Sequence, residues 1–122
     1  MTNETNPIDQ IERQLSKLES TATNLETIAA LVTRSGKSQE ARALSDQAVD
    51  LRVKQFILYR NKSRLQADTK EWKALVSALE LLNYCIDEAM VDLKVLKEVQ
   101  DSSARLILVV TKITAAYTIK GS

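Results

Sequence analysis

Histidine is missing from all 122 residues, and with it the commonest general base and the commonest metal ligand. A di-iron helical bundle, which takes a Glu-x-x-His motif from each of two helices, is therefore excluded. The single cysteine, Cys85, leaves no disulfide framework and no CxxC motif, which fits a reducing compartment such as the cytoplasm. Gly36 and Gly121 are the only glycines, too few for a loop that cradles phosphate. Pro7 is the only proline, so nothing beyond the first turn breaks a helix from inside. Seventeen basic residues against sixteen acidic ones give a formal charge of +1, with no global pull toward nucleic acid or anionic membrane. Residues 1–6 are polar and lack a basic region followed by an apolar run, so a cleaved signal peptide is not expected.

What the chain has is apolar rhythm. Trp72, Leu75, Leu79, Leu82, Ile86, Ala89, Leu93 and Leu96 follow at alternating spacings of three and four, which keeps one stripe facing a partner helix. Beside it runs a mostly small row, Ala74, Ala78, Leu81, Cys85 and Ala89, where another backbone could come close. The first helix repeats the pattern through Ile8, Ile11, Leu15, Leu18, Ala22, Leu25, Ala29 and Val32. Asn6-Pro7-Ile8-Asp9 reads as its start, because Asn caps, Pro is preset for the first turn and Asp favours the positive helix end. Ser35-Gly36 reads as its stop.

Ser38 is expected to cap a second helix with Ala41, Leu44, Ala48, Leu51 and Leu58 on one stripe. Val49, Val53, Phe56 and Ile57 form a flank, read as a second buried side. Asp68-Thr69-Lys70-Glu71 reads as a capping box after a tight turn near 66–69, although an unbroken helix through this region is not forbidden. Gln100-Asp101-Ser102-Ser103 is the expected break before a last segment. Of the 14 residues 106–119, eight are β-branched. Leu106, Val110, Ile113 and Tyr117 offer helical spacing and the odd positions offer a strand; a lone strand would need a partner the chain lacks.

Three features invite a functional reading, each beside a plainer one. Glu80, Asp87 and Glu88 cluster on the third helix with Tyr84, and an all-carboxylate Mg²⁺ site is physically possible. Solvated helix faces carry such residues routinely. Cys85 has apolar or acidic sequence neighbours and reads as an inert core thiol, not as a reactive thiolate. Residues 52–73 hold Arg52, Lys54, Arg60, Lys62, Arg64, Lys70 and Lys73 against only Asp68 and Glu71. Residues 1–27 hold Glu4, Asp9, Glu12, Glu19 and Glu26 against Arg13 and Lys17. The basic segment can bind an acidic partner, or meet the acidic first helix within the chain or across a dimer. Its candidate partner-binding residues are Tyr59, Arg60, Lys62, Arg64 and Lys70.

The expected fold is all-α: one domain over 1–122, an antiparallel bundle of three long coiled-coil-like helices with a shorter C-terminal fourth. The helices are placed at about 7–34, 38–66, 69–100 and 102–118, after a disordered tail at 1–6. The expected function is that of a non-catalytic helical interaction module (adaptor, inhibitor, chaperone or assembly subunit) that self-associates as a homodimer. No catalytic, cofactor-binding or metal-ligating residue is assigned, and no cofactor is expected. Two alternatives compete. One is a membrane-active protein using 106–119, though Lys112 and the shortness of the segment oppose insertion. The other is a polyanion or nucleic-acid binder using 52–73, though such readers are usually more basic overall.

Overall fold

The described residues form four α-helices, α1 (Pro7–Arg34), α2 (Ser38–Arg60), α3 (Lys70–Val91) and α4 (Leu96–Thr118). The computed structural model describes residues 7–118. The expected tail 1–6 and its capping residue Asn6 lie outside the described residues, as do Ile119 and Lys120. The expected all-α bundle is what folds, and no strand occurs among the described residues. Helical spacing therefore wins over the strand reading of the β-branched C-terminal segment. Leu106 and Val110 are fully buried there, and burying a Val or Leu contributes about 1.5–3 kcal/mol against a propensity deficit near 0.5.

Each end has an identifiable cause. Gly36 takes φ +86, a left-handed conformation that glycine adopts without strain. Its N–H donates to Thr33 O at 3.0 Å and that of Lys37 to Val32 O at 3.2 Å, closing the last turn of α1. Ser38 is not the cap of α2; Lys37 occupies that position and no side chain accepts there. α2 stops at Arg60, six residues before the expected 66, where Asn61 Nδ2 donates back to Ile57 O at 2.8 Å. A 3-10 turn (Lys62–Arg64) follows, and the expected turn at 66–69 is present, with Thr69 N donating to Gln66 O at 3.4 Å. Thr69 caps α3 by accepting from Trp72 N at 3.1 Å. The capping box is one-sided, because the residue three positions after the cap is Trp72, which has no acceptor to return.

The third and fourth helices divide at a different place from the expected one. The break falls at Asp92, not at 100–103, so α3 has 22 residues and α4 has 23. The fourth helix is therefore as long as the third. Asp92 is extended at φ −147, and its carboxylate accepts from Lys94 N at 3.0 Å, a local bond that competes with the helix. A 3-10 turn (Leu93–Val95) then leads into α4. Ser102 does not break α4 because its hydroxyl donates to Glu98 O at 2.7 Å within the same helix.

The helices pack as two hairpins, α1–α2 and α3–α4, with α1 against α3 and α2 against α4. Around the bundle the order is α1, α2, α4, α3, and the segment 61–69 crosses a diagonal. Asn83 Nδ2 donates to Thr21 Oγ1 at 2.9 Å, while Trp72 shares a cleft with Gln10 and Gln14, so α1 and α3 run the same way. The core is the expected set of stripes, Leu15, Leu18 and Leu25 from α1 meeting Leu44, Leu51, Leu75, Leu79, Leu82 and Ile86, with Ile28 buried beside them.

Candidate interaction surface

α2 carries more apolar side chains than the core takes in. Ala41, Leu44, Ala48, Leu51 and Leu58 are buried. Val49, Val53 and Phe56, read above as a second buried side, are 55%, 54% and 56% exposed. They lie four and three residues apart, hence on one line of the helix surface. The bundle covers α2 from two sides only, α1 and α4, and this line faces neither. Spacing alone announced a second apolar row; it could not say that no helix remains to cover it.

The basic segment ends this row, and the fold divides its members. Arg60 and Tyr59 sit at the end of α2, exposed, with the Arg60 guanidinium 5.7 Å from the centre of the Phe56 ring. Lys62 is drawn inward. Its Nζ donates to Glu12 Oε2 at 2.5 Å and lies 4.3 Å from the centre of the Tyr59 ring. The Glu12 carboxylate, by this hydrogen bond, holds the Lys62 ammonium above the usual lysine range. Arg52 bonds Glu26 Oε1 and Thr23 Oγ1, each at 2.8 Å, and Lys54 pairs with Asp50. Three of the seven basic side chains are thus held by carboxylates of the same chain, two of them on the acidic first helix.

Arg64 and Lys70 are exposed. Arg64 lines a cleft of about 330 Å³ at the bundle end with Leu65, Trp72, Lys112 and Ile113. Lys70 opens α3 beyond the turn. Of the five residues singled out from sequence, Tyr59 and Lys62 are in contact, Arg60 lies on the Phe56 ring and Arg64 lines the cleft at the bundle end. Glu80, Asp87 and Glu88 stay on the solvent side of α3, and no three metal-ligating side chains are grouped among the described residues. Cys85 is a buried free thiol at the floor of a cleft between α3 and α4, beside Leu81, Ser102 and Arg105. No described helix is long and apolar enough to cross a membrane. No family model, no curated protein and no solved structure matches the chain.

Proposed function

We propose that this protein is a non-catalytic helical interaction module that engages protein partners through the outer face of α2 and its basic end. The observation that carries the reading is the row Val49, Val53 and Phe56, three apolar side chains at helical spacing left more than half exposed on one helix. Contiguous exposed apolar side chains rimmed by charge are typical of contact surfaces, with an aromatic and an arginine as usual anchors. Arg60 and Tyr59 supply the rim, and Arg60 favours an acidic partner. The single buried thiol suits a reducing compartment, the cytoplasm.

The competing readings draw less support. Charge pairing within the chain neutralises part of the basic segment that a polyanion would need. Leu106 and Val110 are already buried in the bundle, so membrane use of the last helix would require it to undock. The test is a titration of a partner purified after cross-linking in native cells. The Arg60→Gln protein should melt as the wild type does and bind that partner more weakly, most clearly at low salt. Unchanged binding by this variant and by Val53→Ser would refute the assigned face.

A further inference from the structure

Resting on that reading, we infer that the outer face of α2 is the contact with a second copy of this chain, the two α2 helices antiparallel and centred on Val53. In that arrangement the charged ends of the face complement each other. Asp46 and Arg60 are both exposed, and each stands seven residues from Val53, at the same heptad position. In a two-fold contact, residue i of one copy meets j of the other and j meets i. Centring on Val53 therefore sets Asp46 against Arg60 twice, with the apolar row between them. A parallel pairing would set Arg60 on Arg60 and Asp46 on Asp46.

The wider charge pattern agrees. Glu40 and Asp46 stand on the first half of α2, and Arg52, Lys54 and Arg60 on the second, with Asp50 between. Arg42, the one cation of the first half, lies eleven residues from Val53, past the end of the second copy's helix. The stacking of Arg60 over Phe56 holds the guanidinium beside the row, where the second copy's carboxylate arrives. From 46 to 60 the helix spans about 21 Å at ~1.5 Å per residue. One such helix pair buries less than the ~1,200–2,000 Å² of stable complexes, so the dimer is weak and depends on concentration.

Sedimentation equilibrium from low micromolar to millimolar chain tests this, with helical content checked by circular dichroism. Asp46→Arg and Arg60→Asp should each weaken dimerisation about tenfold or more, and the two together should restore it. Val53→Asp should abolish it. As an independent probe, Val53→Cys with Cys85→Ser should form a disulfide-linked dimer on mild oxidation, which Asp46→Arg suppresses. A wild-type chain that stays monomeric throughout overturns the self-pairing, and so does a dimer that ignores Val53→Asp or is not restored by the charge exchange. Each of these leaves the broader interaction reading to its own test, binding of a different purified partner.

Discussion

α1 and α2 form one hairpin, yet they use their apolar residues differently. In α1, Ile11, Leu15, Leu18, Ala22, Leu25, Ala29 and Val32 are all at most 4% exposed, and none of its large apolar side chains is exposed. In α2 the inner stripe is equally buried, while Val49, Val53 and Phe56 remain more than half exposed. Folding covers the large apolar side chains of α1 at least in part and leaves three of those of α2 mostly in solvent. Exposed apolar side chains contribute little to stability, so the surplus on α2 adds little to the fold.

The sharpest way to break this comparison is to truncate one residue of each kind. Leu18→Ala should cost about 2–5 kcal/mol, since the side chain is fully buried and its removal leaves a cavity. Phe56→Ser should stay within about 0.5 kcal/mol, as expected for a surface change. Urea unfolding at low micromolar concentration checks both. A Phe56 variant as damaged as the Leu18 variant would mean that the outer row is covered and that the two helices do not differ.

A second test stays inside α1 and separates its two sides. Thr21 is fully buried; it donates to Lys17 O at 2.7 Å and accepts from Asn83 Nδ2 at 2.9 Å, tying α1 to α3. Thr27 has only a back-bond to Thr23 O at 3.2 Å on the exposed side. Thr21→Val removes an acceptor from a half-buried amide and should cost about 1–3 kcal/mol, whereas Thr27→Val should be near neutral. Equal effects in thermal melts would show that the Asn83 contact carries no weight.

The inner stripes of α1, α2 and α3 are legible in the sequence, because apolar residues at alternating spacings of three and four share one face; in α4 the stripe predicts Leu106 and Val110, while Val99, Ser103 and Thr114 are buried without an apolar rhythm to announce them. The failures share a physical origin. The Asp92 break was missed because one carboxylate bonded to Lys94 N outcompetes the helix locally, while Ser102 looks like a breaker and instead bonds within its own helix. The row Val49, Val53 and Phe56 was visible, but its burial depended on how many helices surround α2, which no local pattern encodes. Among the candidate contact residues, opposite net charge on 1–27 and 52–73 announced that the segments could meet. It did not say that Lys62 would choose Glu12 while Arg60 stayed free.

α4 covers the other flank of α2, and two adjacent serines there give a smaller effect of opposite sign. Ser102 is satisfied by Glu98 O, whereas Ser103 is fully buried with no hydrogen-bond partner for Oγ among the described residues. An unmet buried hydroxyl is costly, and alanine is the better helix former. Ser103→Ala should therefore raise stability by about 1 kcal/mol, and Ser102→Ala should not. A destabilised Ser103 variant in chemical denaturation would point to a partner for its hydroxyl.

The smallest effect lies where the two compared helices are tied together, at Lys62 and Glu12. Because the hydrogen bond to Glu12 raises the folded-state pKa of Lys62 above the usual 10.5, its charged form is favoured by folding. The contribution is then fully present below pH 10.5, the unfolded value, and fades as pH rises through the higher folded value. Both side chains are partly exposed, 29% and 44%, so solvent and salt screen the pair. Thermal melts of wild type and Lys62→Met should differ by a small, constant amount from neutral pH to mildly alkaline pH, and the gap should close at stronger alkalinity. A gap that widens with rising pH would have the wrong sign for this pair and would place the stabilising proton elsewhere. Arg60→Met, lacking a carboxylate partner, should show no such dependence.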